Sequence, residues 1–212
     1  MTDHSKISDE IEIKLDLGSF ANYLKLIGFL GQIDDEIHQR NCFFDTEDRL
    51  LSKSGWAFRV RSEDERGLIT VKGKTTEPGL AVVRKEIETD ISRDDAIELI
   101  ELRRDVMSLD VAPVHFVRDT IGDVSLTRLV QFDNTRQCKT FRIGDYEHQL
   151  QIDTTRFANG SVNYELELEL SRLDQVDAVE QGLRRLFLSL DVPFVRQNET
   201  KFKRALESAG LK

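Results

Sequence analysis

Glu10-Ile11-Glu12-Ile13-Lys14 alternates full charge with hydrocarbon at every residue. Successive side chains of a β-strand point to opposite faces, so Glu10, Glu12 and Lys14 share one face. The isoleucines, continued by Leu15, occupy the other. Taken singly, this is the pattern of an ordinary half-solvated strand in an antiparallel sheet. The same alternation returns in Arg59-Val60-Arg61, Lys72-Gly73-Lys74, Arg84-Lys85-Glu86-Ile87-Glu88 and Glu165-Leu166-Glu167-Leu168-Glu169. A solvent-facing sheet would more often mix Thr, Ser and Gln into such rows. If instead the sheet closes into a barrel with its charged faces inward, cations and carboxylates converge on one cavity. A cavity of that kind suits a polyanion held together with divalent metal ions. Rows that merely face water are the competing arrangement.

The length of 212 residues fits a single domain spanning 1–212. Apolar residues make up 39% and charged residues 33%, enough for a core but with a high charged share. No segment approaches the ~20 uninterrupted apolar residues of a membrane helix. Met1-Thr2-Asp3-His4-Ser5-Lys6 carries no apolar stretch of the secretory kind, which predicts a cytoplasmic protein without membrane association. Cys42 and Cys138 lack metal-type spacing and read as free thiols. The net charge of −9 argues against broad nucleic-acid binding, although it leaves room for a local basic cavity.

No repeat or Pro/Gly-rich linker divides the chain. Strands are expected near residues 7–17, 36–45, 56–63, 67–75, 80–90, 124–133, 135–143, 146–154 and 161–171, with Gly67, Gly79, Gly144 and Gly160 at turns. Helices are expected from Ser19 to Leu30, from a capping box at Ser92-Arg93-Asp94-Asp95 to about Met107, near Ala112–Thr120, from Asp174 to Leu190, and near Asn198–Ser208. Such amphipathic helices would cover the outer apolar face of the sheet and leave the inner face polar.

The motif Glu10-Ile-Glu-Ile-Lys14 resembles the E-x-E-x-K signature of the CYTH superfamily, the triphosphate tunnel metalloenzymes. Phe43-Phe-Asp-Thr46 and Gly55-Trp-Ala-Phe-Arg-Val-Arg61 resemble that family's next block. Thr70-Val-Lys-Gly-Lys74, Arg84-Lys-Glu-Ile-Glu88, Asn134-Thr-Arg136, Ile152-Asp153, Tyr164-Glu-Leu-Glu167 and Thr200-Lys-Phe202 follow in the family's order. The ordered set spans nearly the whole chain. It implies a mainly β, α+β fold: a closed eight-stranded antiparallel β-barrel, the tunnel, with helices packed outside.

A triphosphate needs cations on opposing walls, Arg for bidentate contact with phosphate oxygens and Lys as a point charge. The candidates are Lys14, Arg59, Arg61, Lys72, Lys74, Arg84, Arg136 and Lys201, against the alternative that each is a surface cation or a cross-strand ion pair. Mg²⁺ or Mn²⁺ prefers oxygen ligands, for which Glu10, Glu12, Asp153, Glu165 and Glu167 are the candidates. Glu10, Glu12, Lys14 and Asp153 form the expected catalytic set, while Glu86 and Glu88 compensate charge and Glu169 lies toward the mouth. His4, His38, His115 and His148 form no ligand motif, and there is no P-loop.

The resemblance implies metal-dependent hydrolysis of a small-molecule triphosphate, either inorganic tripolyphosphate or thiamine triphosphate. Cyclisation of ATP and simple capture of a polyphosphate or nucleotide are the alternatives. A monomer and a homodimer are equally compatible with the sequence.

Overall fold

The computed structural model describes residues 6–76 and 80–211. The alternating segments form eight long strands: β1 (Lys6–Asp16), β2 (Asp35–Asp45), β3 (Ala57–Ser62), β4 (Arg66–Thr76), β5 (Ala81–Ser92), β6 (Thr127–Ile143), β7 (Tyr146–Arg156) and β8 (Val162–Leu170). They pair antiparallel in the order β5-β4-β3-β2-β6-β7-β8-β1, and β1 pairs back onto β5. Closure works because β1 is shared: Lys6–Ile13 pair with β5, whereas Ile11–Asp16 pair with β8. A two-residue strand β9 (Val195–Arg196) extends the sheet beside Leu15 and Asp16. Closing the sheet removes its free edges.

The outward faces carry the hydrocarbon, and helices cover them. Helices α1 (Phe20–Leu30) and α5 (Val176–Ser189) bury Leu26, Leu30, Val179, Leu183 and Phe187 against Ile13, Leu15, Leu150, Ile152, Leu166 and Leu168. On the far side, α3 (Arg93–Ile100) and α4 (Ala112–Ile121) cover Phe58, Val60, Ile69, Val71 and Ile87. The one-turn helix α2 (Leu50–Lys53) lies between β2 and β3, and Leu51 joins this second core. A third, aromatic cluster of Phe43, Phe132 and Phe157 receives Ala205 and Phe202 of α6 (Lys201–Ser208). Helix α6 therefore lies at the barrel end where β2 finishes and β3 begins; the β3–β4 turn and the starts of β1 and β2 form the opposite end.

Most of the expected elements are present, with four differences. The two strands expected on either side of Asn134 are one continuous β6. Asn134 is buried in the ladder, its amide donating to Gln39 Oε1 (3.0 Å) and its oxygen accepting from Thr155 (2.8 Å), so it does not break the strand. The helix expected to reach Met107 stops at Ile100, because Leu102 takes a left-handed φ of 59° and a separate 3₁₀ turn follows at Val106–Ser108. Helix α2 was not foreseen. Gly67 lies within β4 instead of at a turn: a Cβ there would come within 2.5 Å of the Ala96 Cβ, so glycine is what lets α3 seat on the sheet. The turn expected at Gly79 falls outside the described residues.

Leu183, fully buried, and Leu188, 82% exposed, lie on opposite faces of α5. Leu183→Ala is expected to cost ~2–5 kcal/mol of stability in urea unfolding, and Leu188→Ala about 0.5 kcal/mol or less. Equal effects would mean that α5 does not pack on the barrel through this face.

Candidate functional site

The inward faces enclose a cavity of about 910 Å³, at the upper end of the usual range for ligand pockets. Residues from every barrel strand line it, among them Glu10, Glu12 and Lys14 of β1, Arg59 and Arg61 of β3, Lys72 of β4, Arg84 and Glu86 of β5, Arg136 of β6 and Glu167 of β8. The alternation that put hydrocarbon under the helices puts these charges in the lumen. Its charges fall into three groups.

The first group gathers Glu10, Glu12 and Glu86 around Arg84 and Lys72. Arg84 Nε donates to Glu10 (2.7 Å), and its Nη2 donates to Glu12. Lys72 contacts Glu10 at 3.3 Å and also Glu86. Burial alone would raise the Glu10 carboxyl, but Lys72 and Arg84 hold it well below the usual range. Burial wins at Glu12, which is raised, with the Glu10 charge adding to the effect. Burial likewise pushes Glu86 up to about 7 despite Lys72.

The second group is Asp153, Glu165 and Glu167. Their side-chain oxygens lie within 4.8 Å of one another, all buried. Arg136 grips Asp153 with two parallel bonds (2.8 and 2.6 Å) and reaches Glu167 at 2.5 Å. Lys201 Nζ lies 2.8 Å from Asp153 and 2.7 Å from Glu167 and also contacts Glu165. Arg204 donates to Glu165 at 2.5 Å, its guanidinium 5.7 Å from the Phe157 ring centre. Lys14 joins the two groups, 3.0 Å from Glu12 and 3.1 Å from Glu167. Although burial opposes it, these cations hold the Asp153 and Glu167 carboxyls low.

The third group is richer in positive charge. Arg59 donates to Thr70 Oγ1 (3.0 Å), and among the described residues its one ion-pair partner is Glu88 at 3.6 Å. Arg61 donates to Asn41 (2.8 Å), with Glu63 at 3.4 Å. Burial, together with the facing charges of Arg59 and Arg136, pushes Arg61 below its ordinary value. Here the lumen is least compensated, which is where an anion gains most.

The structure thus brings together all the charged residues singled out from the sequence, but not equivalently. Asp153 and Glu165 lie behind the cavity wall, screened by Lys201 and Arg204, whereas Glu167 faces the lumen. Lys74 is exposed at the mouth, past a bulge that follows Lys72, and has no carboxylate partner among the described residues. Glu169 is exposed and lines the rim. Three contributors were missed. Glu63 is buried and accepts bonds from Gln39 and Arg66, both at 2.9 Å. Arg204 anchors Glu165. Asp45, quoted only as part of a motif, is buried and accepts four hydrogen bonds from Thr46, Leu51 and Ser52, which fold α2 back and set the entry into β3. The Asp45 role was open to inference from an Asp just ahead of a short apolar run; Glu63 and Arg204 had no local signal.

Three buried carboxylates with convergent oxygens are hard ligands of the kind Mg²⁺ and Mn²⁺ take, so the residues present fit such an ion. A family model described as CYTH domain matches residues 8–204. Among solved structures, HpAC1 from Hippeastrum, described as a candidate adenylyl cyclase with a dominant triphosphatase activity, superposes with a TM-score of 0.82 at 24% identity, over 96% of this chain and 97% of that one. A protein from Bacillus halodurans described as a candidate adenylate cyclase gives 0.69 at 22% identity, over 92% and 97%. PH1819 from Pyrococcus horikoshii gives 0.59 at 17%, over 93% and 98%. These identities establish a shared fold. No curated protein matches the chain. Among the described residues, no helix is long and apolar enough to cross a membrane.

The raised Glu86 carboxyl has a consequence for stability. Its folded state keeps a proton through the interval in which the unfolded chain, with a carboxyl near ~4.3, has already lost it. Its contribution is therefore complete below about pH 4 and declines as pH rises toward 7. In chelator, wild type should lose on the order of 1–3 kcal/mol more than Glu86→Gln between pH 5 and 7.5. Parallel urea-derived stability curves for the two proteins would refute this.

Proposed function

The chain belongs to the CYTH family, and from that premise we propose that it hydrolyses a triphosphate in its lumen with the help of Mg²⁺ or Mn²⁺. Inorganic tripolyphosphate is the favoured substrate and thiamine triphosphate the second. The observation that carries this reading is that the cations Arg59, Arg61, Lys72, Arg84 and Arg136 share one cavity with Glu167, whose oxygens converge with those of Asp153 and Glu165 directly behind the wall. Capture of an anion gains little from lining its site with carboxylates beyond balancing the empty lumen; phosphoryl transfer assisted by a metal needs both. The dominant triphosphatase activity ascribed to HpAC1 points the same way for a protein of this fold.

Asp153, Glu165 and Glu167 would hold the ion, with Glu10 and Glu12 of the neighbouring strand β1 as further candidate oxygen ligands. When bound, the ion supplies charge neutralisation at the phosphate oxygens and a more acidic water. The chain's own groups do the rest. Arg59, Arg61 and Arg136 receive the phosphate oxygens, and Arg84 and Lys72 extend the contact toward β1. Water adds to the terminal phosphorus, the bridging P–O bond breaks, and diphosphate leaves with that electron pair. Glu12, whose carboxyl is raised by burial, is suited to take the proton that water gives up. Lys14, held between Glu12 and Glu167, fixes that carboxylate relative to the cluster. Two free buried thiols, Cys42 and Cys138, fit a reducing compartment such as the cytoplasm.

Purified protein offered tripolyphosphate, thiamine triphosphate and ATP, with Mg²⁺, with Mn²⁺ and with chelator, tests the reading. Orthophosphate should appear from tripolyphosphate, stop with chelator, and fall roughly 10²-fold or more in rate in Glu12→Ala and Arg59→Ala. Cyclic AMP and diphosphate from ATP would move the chemistry to cyclisation within the same lumen. Binding without turnover would reduce the protein to a capture module.

A further inference from the structure

The Asp153, Glu165 and Glu167 cluster is already filled by cations of the chain itself. Three carboxylates face Arg136, Lys201 and Arg204, with Lys14 touching Glu167 from the side. Among the described residues only Lys201 contacts all three carboxylates. Its ammonium occupies the point on which their oxygens converge. Adding a doubly charged ion to this buried, balanced set would leave an excess of positive charge in a low-dielectric site, which is costly. One resident cation has to leave.

We propose that Lys201 is a built-in competitor for the metal, so that loading the ion and releasing the Lys201 side chain are one coupled step. This rests on the reading of the cluster as the metal site. Arg136 is a poor candidate to leave, since it is a bidentate partner of Asp153 on the long central strand β6. Among the described residues Arg204 pairs with Glu165 and with neither Asp153 nor Glu167. Lys201 is the first residue of α6, and Thr200 caps that helix through its hydroxyl. The helix itself has an independent anchor, Phe202 stacked on Phe43 at 4.5 Å. The flexible lysine stem can therefore swing while α6 stays in place. Both Thr200 and Lys201 line the cavity, so an ammonium that leaves the carboxylates moves toward the space where phosphate oxygens would lie. The displaced charge is then used again, on the substrate. In this arrangement the cluster is held together without metal, and the metal's affinity is set by how firmly Lys201 is held.

Titration with Mn²⁺ alone, by calorimetry and without any triphosphate, tests the step. Lys201→Gln should bind Mn²⁺ at least ten-fold tighter than wild type, whereas Lys201→Arg should not. Should the Gln variant fail to fold, the wild-type protein answers instead. Reductive methylation of Lys201, followed by mass spectrometry, should be slow in chelator and accelerate on adding Mg²⁺. Equal or weaker Mn²⁺ binding by Lys201→Gln, labelling that ignores Mg²⁺, or no Mn²⁺ binding by either protein overturns the proposal. None of these readouts requires turnover, so a failure of hydrolysis would be recognised separately.

Discussion

Every buried charge in this lumen lies against an opposite one, and the rest of the structure depends on that pairing. An ion taken out of water costs several kcal/mol unless its geometry is well satisfied. Arg84 with Glu10 and Glu12, Arg136 with Asp153 and Glu167, and Lys14 between Glu12 and Glu167 meet that condition. Hydrocarbon in the same positions would pack more favourably, but it would also collapse the cavity. The charged faces keep the barrel open, and most hydrophobic stabilisation is displaced to the outside, save for the aromatic cluster of Phe43, Phe132 and Phe202 at the α6 end. Hence the helices: without α1, α5, α3 and α4, the outward faces of the strands would have no cover.

Pairing is not uniform, and its unevenness is the functional part. Around Glu10, Glu12 and Glu86, and again around Asp153, Glu165 and Glu167, carboxylates and cations nearly balance. Between them, among the described residues, Arg59 and Arg61 each form one ion pair, at 3.6 and 3.4 Å. An anion entering there would relieve repulsion among guanidiniums, whereas at either carboxylate group it would first have to displace an existing partner. On the proposed reading the carboxylates act twice, balancing the empty lumen and confining the anion to one stretch of it.

Much of this was legible because period-two charge alternation is a local signal. Glu10, Glu12 and Lys14 could only share a face, and once several such rows exist, closure brings them together. The family resemblance added the strand count and the order of motifs. What stayed hidden depends on contacts far apart in sequence. Glu63 follows a strand end like any surface acid, and only the approach of Gln39 from β2 and Arg66 from β4 makes it a buried pivot. Arg204 belongs to a short C-terminal helix whose polar pattern gives no hint that one turn plugs a barrel. Asn134 reads as a break because propensity alone does not see Gln39 and Thr155 waiting for its amide. Asp45 is the exception, since an Asp just ahead of a short apolar run is a local signal, and its carboxylate accepts from the Leu51 and Ser52 N–H groups.

Hydrolysis and cyclisation make the same demand on most of this lumen, because both must neutralise a polyphosphate chain. They differ in which phosphorus is attacked and by which oxygen: water at the terminal phosphorus, or a ribose hydroxyl at the one next to the sugar. The cation row cannot decide between them, since phosphate oxygens look alike along the chain. What decides is the distance along the lumen between the carboxylate that takes the proton and the point where the chain ends. In this protein Glu12 and the Asp153, Glu165 and Glu167 cluster are tied to one another through Lys14, so on the proposed reading proton acceptor and metal ligands form one unit. On that reading, whichever phosphorus lies beside the unit is the one that would react. The cavity could hold a nucleoside as well as a bare triphosphate, so its volume does not choose. On the proposed reading the choice rests on how far the anion would be drawn past Arg59 and Arg61 toward Lys14, which lies against both Glu12 and Glu167.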